Sequence, residues 1–368
     1  MTVSVNFAIL SDPHIALPHT IWDNPNRFHQ VEISIPTLEK VFAELEPLDL
    51  DFLLIPGDLT QHGELENHQW LADRLRQLPY PTYVVPGNHD ILHPHPGDRT
   101  AGISDFTTCY RDFGYGDPLV PYYCCEVHLS IRLIGLNSIY FDDRGQQTSM
   151  GRIDETQLRW LEHVLTQHGH ETLLVMVHHN VVEHLPNQSQ HVLGHRYMLE
   201  NADELLSLLH QAGVRLIFTG HLHVQDVAEW KGIYEITTGS LVSYPHPYRL
   251  FSYQTHADGT TQLKFKTVRI DTVADVPDLQ QWSRDWLGDR SYPFMVKLLT
   301  HPPINLDLAQ AEAIAPQLRH FWADIAYGDA QFDFPDLPAA LRTYFQQFGA
   351  VDPEGNGLPI DNQAHLIL

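Results

Sequence analysis

Cysteine is scarce in this chain: Cys109, Cys124 and Cys125 are the three present among 368 residues. They make no CxxC framework and leave an odd thiol. That suits a reducing, cytoplasmic setting, with a single disulfide left open. Long apolar runs are missing too. No uninterrupted stretch approaches the ~18–20 residues that a membrane span needs. The N-terminus, MTVSVNFAILSDPH, has no basic region and reaches Asp12 too soon for a signal peptide. Basic residues are few: 22 Lys and Arg stand against 46 Asp and Glu, a net charge of -24. Polynucleotides and anionic membranes are approached through cationic surfaces, so neither is expected as a partner.

What is present is an ordinary globular composition, 43% hydrophobic and 18% charged, on a chain long enough for one large domain or two. Histidine is the exception, with 25 copies. Many are scattered without pattern, such as His93, His95, His163, His168, His170 and His210. Position, rather than abundance, has to select the functional ones.

Short apolar runs recur at 5–10, 51–55, 82–85, 131–136, 172–177 and 214–218, with the length and β-branching of buried strands. Helical patterns lie between them. Pro36 opens a segment with Leu38, Val41, Phe42 and Leu45 on one face. Asp154 is placed to cap a segment carrying Leu158, Leu161, Val164 and Leu165, and residues 201–211 repeat the pattern before Gly213. The alternation predicts an α/β fold. Successive strands are expected between 222 and 270, then helices near 277–287, 308–323 and 337–348. The predicted division is a catalytic domain over 1–272 and a small C-terminal helical region over 273–368, serving as a cap or as an association surface for a homo-oligomer. Residues 91–121 are Pro-rich and irregular, as a functional loop would be.

The residues that follow the strands carry the chemistry. Five of the six runs are followed by such residues: by Ser11-Asp12-Pro13-His14, by Gly57-Asp58, by Gly87-Asn88-His89-Asp90, by His178-His179, and by Gly220-His221-Leu222-His223. Taken singly, Gly-Asp is usually a turn and His-x-His a weak signal. Together they place Asp, Asn and His at five strand ends, where open α/β sheets gather their ligands. Carboxylate, amide oxygen and imidazole suit Fe, Mn or Zn without any thiolate. In Asp12-x-His14 and His221-x-His223 the i, i+2 spacing puts two side chains on one side of an extended segment.

These residues, in this order, resemble the five motifs of the calcineurin-like metallophosphoesterases across most of residues 1–223. The resemblance implies a four-layer α/β/β/α sandwich with two metal ions, one held by Asp12, His14, Asp58 and His223. Asp58 would bridge to the other, which Asn88, His178 and His221 complete. His89 would face the phosphate as proton donor or charge stabiliser rather than as a ligand, oriented by Asp90. Many relatives read His-His-Pro-Pro where this chain has His178-His179-Asn180-Val181, so His179 is the least settled position and the loop lacks its usual prolines.

Two ions ~3.5–4 Å apart lower the pKa of a bridging water, and hydroxide attack on a phosphate ester is the reaction expected. The segment GRIDETQLRWL and the motif spacing look most like class III cyclic-nucleotide phosphodiesterases and their glycerophosphodiesterase relatives, which act on small diesters. Tyr244, His246 and Arg249, soon after the His-x-His motif, are candidates to line the pocket, as is Arg99. The competing readings are a phosphomonoesterase or protein phosphatase on the same metals, and a non-catalytic metal-binding scaffold.

Overall fold

The computed structural model describes every residue except 1, 2, 23, 25, 26, 118, 192, 274, 353 and 354. The predicted runs become β1 (Val3–Leu10), β2 (Phe52–Ile55) and β3 (Thr82–Val84). After β4 (Tyr123–His128) come the three other predicted runs, β5 (Ile131–Gly135), β6 (Thr172–Met176) and β7 (Leu216–Thr219). The expected succession beyond 222 is β8 (Asp226–Trp230), β9 (Ile233–Thr237), β10 (Pro247–Thr255) and β11 (Thr261–Arg269). β12 (Gln363–Ile367) was not foreseen.

They form two six-stranded sheets, ordered β12-β11-β10-β1-β2-β3 and β4-β5-β6-β7-β9-β8. β1, β2 and β3 run parallel, as do β5, β6, β7 and β9, so their carboxyl ends share a direction within each sheet.

Side-chain alternation makes the layers. Leu174 and Met176 of β6, with Leu216 and Phe218 of β7, point into the core shared with the first sheet. Leu173, Val175 and Ile217 point the other way, onto helices. The seam between the sheets is aromatic: Phe7 stacks on Phe52 at 4.9 Å and Phe251 at 4.7 Å, and meets the edge of Phe218 at 5.6 Å.

Outside the first sheet lie α1 (Ser34–Leu45) and α2 (Leu65–Leu75), burying Leu38, Val41, Phe42 and Leu71. The segment expected to be an irregular loop contains a helix, α3 (Ile103–Cys109), because Phe106 and Tyr110 there are drawn into the core. Outside the second sheet lie α4 (Glu155–His168), capped by Asp154 as expected, and α5 (Ala202–Gln211). The result is the four-layer α/β/β/α sandwich.

The tail folds differently in detail from its sequence pattern. α6 (Leu279–Thr300) runs through Pro293 rather than ending near 287. A 3-10 turn at Ala315–Leu318, containing Pro316, splits the next segment into α7 (Leu308–Ile314) and α8 (Phe321–Tyr327). After α9 (Ala339–Gln346) the chain returns to pair β12 with β11. The helices share one apolar cluster with Leu222 and Val224, the residues that alternate with His221 and His223. Packing of the tail therefore bears directly on the His-x-His loop. Among the described residues, no helix is long and apolar enough to cross a membrane.

Candidate metal centre

The strand-end residues converge. Potential ligand atoms of Asp12, His14, Asp58 and His223 lie within 4.8 Å of one another, and so do those of Asp58, His178 and His221. Asp58 belongs to both groups. Its Oδ2 is 3.6 Å from His14 Nε2 and 3.4 Å from His178 Nε2, while Oδ1 accepts the His89 backbone N–H at 2.8 Å. Asn88 joins the second group, its Oδ1 3.2 Å from His178 Nε2. His223 Nε2 is 3.1 Å from Asp12 Oδ1.

Backbone strain concentrates on the same residues. Asp12, His14, Asp58, His221 and His223 all adopt left-handed conformations, with φ of 49°, 40°, 48°, 64° and 59°. Non-glycine residues rarely do so, and five such outliers converging on one point mark a functional site. Gly87 permits the close approach that the site requires: a Cβ there would collide with the Asp58 backbone and carboxylate.

Hydrogen bonds aim the imidazoles. Nδ1–H of His178 donates to Pro56 O at 2.8 Å, leaving Nε2 as an electron-pair donor. His221 uses Nε2 on Arg196 O at 3.3 Å, leaving Nδ1. His14 is fully buried with neither ring nitrogen hydrogen-bonded. Burial, followed by the neighbouring His29, holds its pKa well below that of a free imidazole, so it is a neutral base. Burial raises the Asp58 pKa, but the neighbouring His178, through its charge and hydrogen bond, leads the opposing contributions that keep it an anion. A carboxylate shared by two groups of Asp, Asn and His donors, with an orphaned buried imidazole beside it, fits a pair of divalent cations.

The residues expected around this centre fare unequally. His89 lines the pocket, its Nδ1–H donating to Gln61 O at 2.8 Å. Asp90 does not orient that ring, which corrects the expectation. Its carboxylate accepts from the backbone of Gly87 at 2.8 Å, Leu59 at 3.0 Å and Thr60 at 2.9 Å, and so staples the two loops together. Burial, then the Asp58 charge, pushes its pKa up to about 7.

Tyr244 does line the pocket. The other three proposed substrate contacts do not. Arg99 is exposed and paired with Glu66 at 2.6 Å. His246 is buried, its Nδ1–H donating to Leu241 O at 2.9 Å. Arg249 is fully buried in β10, donating to Thr237 O at 2.9 Å and to Asp361 O; it ties the returning tail to the sheet. His179 is also buried, its Nδ1 2.8 Å from Ser138 Oγ.

Two features escaped the sequence reading. His29 stacks on His14 with ring centroids 4.0 Å apart, and its ring nitrogens come within 4.8 Å of those of His14 and His223. It belongs to no strand-end motif, and only the fold brings it there. The second is Glu235, which shapes the loop that lacks the usual prolines. Its buried carboxylate accepts from Val181 N at 2.8 Å, Val182 N at 2.6 Å, Asn180 Nδ2 at 3.0 Å and Thr219 Oγ1 at 2.7 Å. Hydrogen bonds thus replace proline stiffness behind His178.

Glu235 also lies 3.0 Å from the buried His184, whose other nitrogen is 2.6 Å from Asp226. Burial disfavours the imidazolium, but Glu235 and Asp226 outweigh it and raise the His184 pKa to about 10. A raised folded pKa stabilises fully below the unfolded value near 6.5, and the stabilisation fades as pH rises through about 10. His184→Gln is therefore expected to cost ~3–5 kcal/mol at pH 6, and clearly less at pH 10. Urea unfolding at both values checks it; an equal deficit would contradict the ion-pair assignment.

Comparison with known proteins follows the same outline. A family model described as calcineurin-like phosphoesterase matches residues 5–225. A Synechococcus protein named a probable cyclic nucleotide phosphodiesterase is 27% identical over 61% of this chain and 74% of its own. A probable glycerophosphodiester phosphodiesterase of Arcobacter nitrofigilis is 27% identical over 52% of this chain and 63% of its own. The 3′,5′-cyclic adenosine monophosphate phosphodiesterase of Haemophilus influenzae is 24% identical, over 63% and 80%. The crystal structure of a dimetal phosphatase from Danio rerio overlays with a TM-score of 0.51 at 16% identity, covering 72% of this chain and 95% of that one, a likeness of fold.

Proposed function

The chain belongs to the calcineurin-like phosphoesterase family, and from that premise we propose that it is a metal-dependent phosphodiesterase acting on a small diester. The observation that carries this reading is Asp58 Oδ2, placed between His14 and His178 at 3.6 and 3.4 Å, the arrangement of a bridging carboxylate. Asp12, His14, Asp58 and His223 would hold one ion, and Asp58, Asn88, His178 and His221 the other. Oxygen and nitrogen donors admit Fe, Mn or Zn. Such ions supply Lewis acidity to phosphoryl oxygens and acidify water.

The protein's own groups do the rest. Nδ1–H of His89 is committed to Gln61 O, which leaves Nε2 as the ring atom for the substrate; in the imidazolium form, with both nitrogens protonated, Nε2 carries the proton that passes to the departing oxygen. Backbone donation from His89 to Asp58 Oδ1 keeps the carboxylate aimed. The diester preference is supported by the relatives' printed activities, and the small-substrate preference by the net charge of -24. The C-terminal helices, packed on Leu222 and Val224, serve in this reading as a cap over the site. Three unpaired thiols agree with a reducing compartment such as the cytoplasm.

The test is a panel of bis-p-nitrophenyl phosphate, p-nitrophenyl phosphate and 2′,3′- and 3′,5′-cyclic nucleotides, with Mn²⁺ and after chelation. Diesters should be preferred and chelation should abolish turnover. Preference for the monoester would reject the diesterase reading, and metal binding without hydrolysis would favour a scaffold. His29→Ala should weaken cobalt binding by about tenfold, read from titration of the metal-free protein. Unchanged affinity would remove His29 from the metal centre's support.

A further inference from the structure

We propose that the pocket beside the metal centre accepts an amphiphilic phosphodiester, one of whose alcohols carries an alkyl or acyl chain with ester or ether oxygens. The proposal rests on the diesterase reading and names its substrate class. A cavity of about 390 Å³ opens from Asp58, Asn88, His89, His221 and His223, a size typical of small-molecule sites. Its lining has a large apolar part that includes Leu185, Leu193, Leu287, Phe294, Trp322 and Phe348. Half of these come from α6 and α8, so the tail supplies much of the wall. Among the described residues, Arg196 is the one Arg or Lys that lines the cavity.

Several polar residues in the lining are already engaged. Gln147 Nε2 donates to Asn88 O at 2.8 Å and Ile91 O at 3.1 Å. Gln188 donates to Asn180 Oδ1 at 3.2 Å and accepts from His184 N at 2.7 Å. Ser291 Oγ contacts Gly288 O at 2.8 Å and Arg319 O at 2.9 Å.

Three buried polar atoms in the same lining have no partner: Ser243 Oγ, Trp322 Nε1 and His191 Nε2. Trp322 Nε1 can only donate. His191 Nδ1 accepts from Leu193 N at 3.2 Å, so Nε2 of the neutral ring bears the proton and donates. Ser243 alone of the three can accept. A nucleobase edge alternates donors and acceptors, and among these three unpartnered atoms its donors would meet Ser243 Oγ alone. An apolar chain with acceptor oxygens matches both the wall and the donors. The net charge of -24 opposes docking on an anionic bilayer, so the ligand is a dispersed amphiphile.

The experiment uses methyl, butyl and octyl p-nitrophenyl phosphate below micellar concentration with the metal-loaded enzyme. A buried methylene is worth about fourfold in affinity. From methyl to octyl, kcat/KM should rise by at least about 30-fold, the equivalent of two to three such methylenes. Leu287→Ser and Phe294→Ser should each flatten that gradient, whereas a merely structural defect would lower the methyl and octyl values together. A flat series, or a cyclic nucleotide turned over better than the octyl ester, would overturn the proposal. Calorimetry with octylphosphonate against methylphosphonate separates the two readings. Tighter octyl binding without any diester turnover would keep the pocket and reject the reaction. Equal binding would reject the pocket whatever the turnover.

Discussion

Replacing Asp58 by alanine is expected to lower phosphodiester turnover by ~10³-fold or more, beyond the 10²–10³ typical of losing one transition-state donor. The reason is geometric. One carboxylate faces His14 and His178 through the same oxygen, at 3.6 and 3.4 Å, so its loss strips a ligand from both clusters together. It is also an anion among the buried imidazoles of the site, and its charge helps cations enter a desolvated space. Cobalt stoichiometry should fall along with turnover, while circular dichroism shows the fold retained. Asp58→Asn separates the contributions, since the amide oxygen can still accept from His89 N but carries no charge. An Asp58→Ala protein with full activity would end the dinuclear proposal.

His89→Ala is expected to lower kcat by ~10²–10⁴-fold while leaving metal content unchanged, the range for losing a positioned proton donor. The link from His89 to the metal centre runs through its backbone N–H on Asp58 Oδ1, which alanine keeps. The side chain contributes the imidazole alone, fixed by Gln61 O at 2.8 Å. Metal analysis and kcat measured on one preparation decide the matter. Loss of metal would show that the ring is a ligand rather than a proton carrier.

Asp90 illustrates where local reading stops. Beside His89 in sequence, it looked like the ring's orienting partner. In the fold its carboxylate turns back to Gly87, Leu59 and Thr60, because those backbone donors would otherwise be buried unpaired. Arg249 shows the same limit. Its position after the His-x-His motif suggested a substrate contact, yet β10 points it into the interior to meet the carbonyls of Thr237 and Asp361.

The candidate ligand positions were legible in the sequence because each sits within a few positions of a strand end, and strand order and spacing are local properties of the chain; their division between two ions came from the family resemblance. The apolar runs and their alternation with helices followed for the same reason, since a two-residue or 3.6-residue period is written into short segments, whereas the layer count came from the family resemblance. His29 beside His14, Glu235 behind the His178 loop, and the wall formed by α6 and α8 were not legible. Each joins segments tens to hundreds of residues apart, and only the packed structure brings them together. The five motif-bearing strand ends, GNHD among them, thus announced a metal-centred phosphoesterase. Only the tertiary structure places the tail beside that site, with its helices packed on Leu222 and Val224 and its last strand returned to β11.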